Sequence, residues 1–190
     1  EYYMVLLFTV AGMMFLASAT DLVTLYVSLE LATIPLFVLT AWKRDALAGE
    51  AGLKYVIMGA LASSLLIYGM GLLYGLTGHM DFRGITKALE SSSPAFWLAI
   101  ALITAGAGFK MTIVPFHMWA AEVYQGAPTP ITAYISVASK CAGLMLLIQL
   151  FLNVIGRFVA DLALLFAVLA AITMTLGNVV AIVQNNIKRF

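Results

Sequence analysis

Cysteine and histidine are nearly missing from this chain, which holds one Cys, Cys141, and two His, His79 and His117. So few ligands cannot assemble a cysteine-held iron–sulfur cluster or a structural zinc site within 190 residues. No metal and no cofactor is therefore expected in this chain, and any redox chemistry linked to it takes place elsewhere. Charge is scarce too. Only 10% of residues are charged, and ten Lys and Arg against nine Asp and Glu leave a formal net charge of +1. That balance offers no basic or acidic field, which excludes nucleic acid as a partner. An initiator Met and a cleavable leader are also lacking, and NNIKRF follows directly on an apolar run, so the sequence is expected to be a piece of a longer one.

What the chain has in abundance is apolar sequence. Hydrophobic residues make up 63% of it, and a mean hydropathy of +1.03 lies outside the range of ordinary soluble domains. The lipid bilayer is therefore its surroundings. A hydrocarbon core about 30 Å thick takes roughly 20 apolar residues per helix. Cutting the sequence at charges, Pro and Ser/Gly clusters predicts an all-α, polytopic transmembrane bundle of about six spans: 2–20, 22–42, 51–77, 95–119, 131–155 and 158–184. The connection KRDALAGE (43–50) is short and HMDFRGITKALESSSP (79–94) is longer, but neither is a linker or a soluble domain, so residues 1–190 read as a single transmembrane domain. Lys43, Arg44, Lys188 and Arg189 fall on one side of the membrane against Arg83, Lys87 and Arg157 on the other, which assigns residues 43–50 to the cytoplasmic side.

Four ionisable residues fall inside spans rather than between them: Glu30, Lys54, Lys110 and Lys140. At roughly +2.5 to +3.5 kcal/mol for each charge at a helix centre, such groups are costly unless paired or hydrated. Lys54, near a helix end, has snorkelling as an ordinary alternative. Lys110 and Lys140 are too deep for that, and Glu30 is the one acid at comparable depth, so pairing cannot neutralise three bases. Desolvation disfavours an ammonium and a nearby carboxylate favours it; a buried lysine whose acid can approach or withdraw is a proton site with two settings. Together these residues supply a proton relay, with Glu30 as modulator and the lysines as carriers.

The stretch FKMTIVPFHMWAAEVYQGAPTP (109–130) adds the means of opening a path. Pro115 has no amide proton and clashes with the carbonyl of residue 111, so the fourth span is expected to break there, one turn past Lys110. Interrupted helices at membrane depth line ion paths or are covered by protein, and His117 just beyond exchanges protons near neutral pH. Other features read as structure. The glycines of IYGMGLLYG (67–75) let helices approach closely, Trp42, Trp97 and Trp119 fit interfacial anchoring, and Asp21 caps a helix. For Asp161, Asn178 and Gln184 a place in the bundle interior, with Asn178 on a water path, is the weaker alternative to an ordinary structural reading.

SLELATIPLFVL (28–39), EAGLKYVIMGALASSLLIYGMGLLYGLTG (50–78), FKMTIVPFHMWAAEVYQGAPTPITAYISVASK (109–140) and GNVVAIVQNNIKR (177–189) resemble the antiporter-like proton-translocating subunits of respiratory complex I, the NADH:quinone oxidoreductase. Within that family they look most like the N-subunit branch. VYQGAPTP followed by a VASK-type lysine separates the chain from the M and L branches and from the multi-subunit Na⁺/H⁺ antiporter proteins. One departure is Trp119-Ala120-Ala121-Glu122, where the commoner pattern has Trp-x-Pro-Asp; this puts a role for Glu122 in doubt.

The resemblance implies a fourteen-helix subunit built from two inverted five-helix repeats. This sequence would supply helices four to nine, the first repeat plus one helix, and the second-repeat lysine would fall beyond Phe190. It also implies that Lys110, paired with Glu30 and tuned by Lys54, takes a proton from the cytoplasmic side, which His117 and water pass to Lys140. FMN, iron–sulfur clusters and quinone would belong to partner subunits, and the partners would be other membrane-arm subunits, including neighbouring antiporter-like ones. The membrane would be an energy-transducing one, the bacterial plasma membrane first, with the mitochondrial inner or thylakoid membrane as alternatives. A cation/proton antiporter subunit without electron transfer is the other functional reading, and a purely structural scaffold the third.

Overall fold

A computed structural model describes residues 1–89 and 93–189; part of the predicted connection 79–94 lies outside the described residues. Among the described residues, eight α-helices run in order: α1 (Tyr2–Ser18), α2 (Leu22–Thr40), α3 (Ala46–Thr77), α4 (Phe82–Ala88), α5 (Pro94–Met111), α6 (Ala120–Gly126), α7 (Thr129–Leu147) and α8 (Val159–Ile182). Among the described residues there is no strand, only an isolated bridge between Asp21 and Asp81. Five helical segments are long and apolar enough to cross a membrane, and α1 is a shorter apolar helix beside them, in agreement with the six apolar runs.

The boundaries differ from the sequence-based ones where local chemistry overrides hydropathy. Asp45 caps α3 by accepting the Ala48 N–H at 2.7 Å, so α3 starts at Ala46 rather than 51 and the connection from α2 is residues 41–45. At about 48 Å, α3 is longer than the hydrocarbon core is thick, and its first turns reach the interface. The 79–94 connection contains α4, capped by Asp81 on Gly84 N–H at 2.7 Å. Asp21 caps α2 the same way through Thr24 at 2.8 Å. That backbone bond holds its carboxyl below the usual carboxylate range. The fifth run leaves α7 as a π-helical stretch, Ile148–Val154.

The fourth span is shorter than expected. α5 stops at Met111, and Thr112 takes a left-handed conformation (φ 55°), so the helix breaks before Pro115 rather than at it. The irregular stretch 112–119 leads into α6. Protein groups satisfy several backbone groups at the break, as bilayer depth requires. The Ile113 N–H donates to Gly108 O at 2.8 Å, the Val114 N–H to Thr173 Oγ1 at 3.1 Å, and the Trp119 indole to Phe109 O at 3.1 Å. Trp119 is therefore a core residue, 3% exposed and stacked on Tyr55 at 4.7 Å, and not an interfacial anchor.

Small residues set the helix contacts. A Cβ on Gly106 would stand 2.7 Å from Ala62 O, and one on Gly69 would stand 2.8 Å from Ala99 O, so α3 and α5 touch almost backbone to backbone. Gly71 and Gly75, by contrast, have nothing within 4 Å, so only Gly69 of the 67–75 glycines plays the expected packing part.

Side chains divide into two apolar clusters. One holds Leu25, Leu29, Leu66, Ile103, Ala107, Ala142 and Leu146; the other holds Leu36, Leu39, Tyr55, Ala62, Phe109, Trp119, Ile131 and Ile135. The changeover falls between residues 29 and 36 on α2, 62 and 66 on α3, 107 and 109 on α5, and 135 and 142 on α7. Those intervals contain or adjoin Glu30, Ser63, Lys110 and Lys140, so a polar layer crosses the bundle where the two clusters meet.

α8 touches this arrangement only near its start, where Leu162, its one buried residue, joins the first cluster and Phe166 packs on it. Asp161 and Asn178 are exposed, and the Asn178 amide donates to Met174 O of its own helix at 2.8 Å. Gln184 alone of the three borders a cavity.

Candidate functional site

Lys110 is 4% exposed on the last turn of α5. Its ammonium donates to Thr33 Oγ1 at 3.0 Å, and that hydroxyl donates onward to Leu29 O at 2.7 Å. Thr33 stands three residues after Glu30 on α2, hence on the same face. Glu30 does not pair with Lys110. Its Oε1 accepts from Ser63 Oγ at 2.6 Å, and among the described residues no salt bridge joins the two. Glu30 and Lys110 are near neighbours that each hold a hydroxyl in place of the other.

Lys140 repeats the pattern across the break. Its Nζ donates to Thr112 Oγ1, which itself donates to Met111 O at 2.6 Å. The same Nζ stands 5.9 Å from the ring centres of Trp119 and Tyr124. Lys140, His117 and Thr112 border a cavity of about 460 Å³, where no carboxylate is found among the described residues. The His117 Nδ1 is buried without a partner. The break thus brings Lys110, Thr112, His117 and Lys140 together, two lysines on either side of one irregular turn.

Lys54 sits apart from this group. It is 41% exposed and bridges Glu50 at 2.7 Å and Glu122 at 2.6 Å, so two further acids balance it and its contact is with α6, not with Glu30 or Lys110. Glu122, which sequence reasoning left without a role, ties α6 to α3; Gly126 helps by bringing its backbone against Ala51 and Leu47 O. Because Glu50 keeps hold of Lys54, Glu122→Gln is expected to be nearly silent in the thermal midpoint of the purified protein, while Glu50→Gln with Glu122→Gln lowers it by more than the two singles added.

Thr33, Ser63 and Thr112 are the residues that sequence reasoning missed. A signal was present at two of them: Thr33 is one turn from Glu30, and Thr112 is two residues past Lys110. Pro35, inside α2, leaves the Leu31 carbonyl without its helical donor and marks the same level.

The family model described as NADH:quinone oxidoreductase/Mrp antiporter, TM, matches residues 19–190. The chain belongs to this family. Among members of the NADH:quinone oxidoreductase/Mrp antiporter family, it is 49% identical to the NADH-quinone oxidoreductase subunit N of Heliobacterium modesticaldum, with all of this chain aligned to 40% of that protein. Respiratory complex I of Thermus thermophilus contains a chain that superposes with a TM-score of 0.85 at 35% identity, covering 99% of this chain and 40% of that one. An archaeal membrane-bound sulfane sulfur reductase complex gives a TM-score of 0.87 at 30% identity, over 99% and 39%. The chain thus spans about two fifths of the length of the relatives it matches.

Proposed function

We propose that this chain is part of a proton-translocating membrane-arm subunit of an NADH:quinone oxidoreductase, the first of two inverted repeats plus one helix, within one transmembrane domain. The observation that carries the reading is the pair Lys110, buried, and Lys140, half-buried, on either side of a helix break, each held by a threonine hydroxyl, with no carboxylate in a salt bridge to either among the described residues. An ammonium without a counter-ion in a desolvated site releases its proton more readily than a paired one, and a hydroxyl can accept from the charged form and donate to the neutral one.

In this reading Lys110 loads from the side of residues 43–50, Glu30 sets its charge from one turn beyond Thr33, and His117 passes the proton towards Lys140. Lys54, held by Glu50 and Glu122, acts at the entrance. The subunit is a translocase component without a redox centre of its own; FMN, iron–sulfur clusters and quinone belong to partner subunits of the membrane arm and its extensions. The bacterial relatives support the plasma membrane as its location.

Arginine keeps a positive charge but does not release it, which separates a carrier from a structural cation. Lys140→Arg, for which the adjoining cavity leaves room, is expected to lower donor-driven proton uptake into sealed vesicles by about a hundredfold, the lower end of the range for a lost proton-transfer group. Uptake at the normal rate would make Lys140 structural. The family description also embraces antiporters, and that second reading predicts proton flux driven by a sodium gradient with no electron donor present.

A further inference from the structure

Tyr124 is half-buried beside the cavity that Lys140 borders, and nothing in the relay described so far uses it. It lies on α6, and its hydroxyl oxygen is buried with no hydrogen-bond partner among the described residues. Its ring is fixed: the edge meets Trp119 at 6.0 Å, and the Thr132 hydroxyl donates to the Tyr124 carbonyl at 2.9 Å. A phenol placed so firmly, with its polar end unsatisfied, is costly to keep unless another state of the protein supplies the partner.

The partner is close by. Lys140 Nζ stands 5.9 Å from the centre of the Tyr124 ring, and of the three donors of an ammonium Thr112 takes one. Trp119 offers a second ring centre at 5.9 Å, so the ammonium lies near two rings, in a cavity that no carboxylate borders among the described residues. Four rotatable bonds let the lysine swing by several ångströms without moving α7.

We propose that Tyr124 is a positioning residue for Lys140: its ring face holds the ammonium beside the break, and its hydroxyl is the second acceptor to which Lys140 swings when it leaves Thr112. Lys140 then has two resting places, Thr112 on the side of Lys110 and Tyr124 on the side of α6. A proton carrier needs such a pair of positions so that it does not return the proton to its source. The proposal rests on the reading of Lys140 as a carrier.

Tyr124→Phe keeps the ring and removes the hydroxyl, and Tyr124→Leu removes both. In the assembled complex in sealed vesicles, Tyr124→Phe is expected to lower proton uptake about fivefold, the worth of one neutral hydrogen bond, with assembly unchanged on native gels. The solvent deuterium isotope effect on uptake should rise as the step at Lys140 becomes limiting. Tyr124→Leu should fall at least as far. Normal uptake and an unchanged isotope effect in Tyr124→Phe overturn the proposal, and so does a loss confined to Tyr124→Leu and matched by lost assembly, which assigns Tyr124 to packing. Lys140→Arg, measured alongside, keeps the two levels distinct: if it pumps normally the carrier reading itself fails, and if it is impaired while Tyr124→Phe is normal only the role of Tyr124 fails.

Discussion

Lys110→Met is expected to leave the complex assembled and to reduce donor-driven proton uptake by about a hundredfold, the lower range for loss of a proton-transferring side chain. Methionine fills nearly the same volume as lysine without its charge. Thr33 loses the ammonium but still donates to Leu29 O at 2.7 Å, so no donor is orphaned. Replacing a buried charge by a well-packed apolar group is often neutral or stabilising, and Lys110 is 4% exposed with no acid in contact. A purely structural lysine here would therefore be better as methionine, which makes the substitution discriminating. Proton uptake and quinone reduction should be recorded on the same vesicles. Both falling while native gels show intact assembly supports the relay; both persisting removes Lys110 from it.

The depth of each charge was legible in the sequence, and its neighbours were not. Hydropathy locates a residue along the membrane normal, which is how Glu30, Lys110 and Lys140 stood out. These helices are apolar nearly all round, and such a helix does not announce which face meets which neighbour. The expected Glu30–Lys110 pair became two hydroxyl bonds for that reason, since the facing of Ser63 and Thr33 depends on how α2, α3 and α5 pack. Lys54 was placed near the pair, but it lies on a partly exposed face of α3 that meets α6, where Glu50 and Glu122 reach it. Trp119 read as interfacial because it follows Pro115 and His117 at the end of an apolar run. The chain instead turns back beneath Phe109 at Thr112, a left-handed position at a non-glycine residue that hydropathy does not reveal. Family resemblance named the ionisable residues and was silent on the hydroxyls that hold them.

The geometry of the polar layer depends on how closely α3 and α5 approach, and Gly106 decides that. A side chain there would meet Ala62 O and Leu66 Cβ, each at 2.7 Å, and a backbone oxygen cannot yield as a side-chain end can. In a bilayer, such close approach replaces the hydrophobic drive that assembles soluble helices. Gly106→Leu is therefore expected to abolish assembly, read as loss of the intact complex on native gels. Gly71→Leu, on α3 but with nothing within 4 Å, should assemble normally and serves as the control for added bulk. Gly106→Ala is the more informative of the milder changes. Gly106 lies one turn before Lys110, and Ala62 is next to Ser63, the donor that holds Glu30 at 2.6 Å. Pushing α5 from α3 thus draws Lys110 away from the Glu30–Ser63 pair without touching any ionisable group. Proton uptake should fall further than assembly does in Gly106→Ala. Equal losses in the two would mean that the contact holds the bundle together but does not set the spacing of the relay.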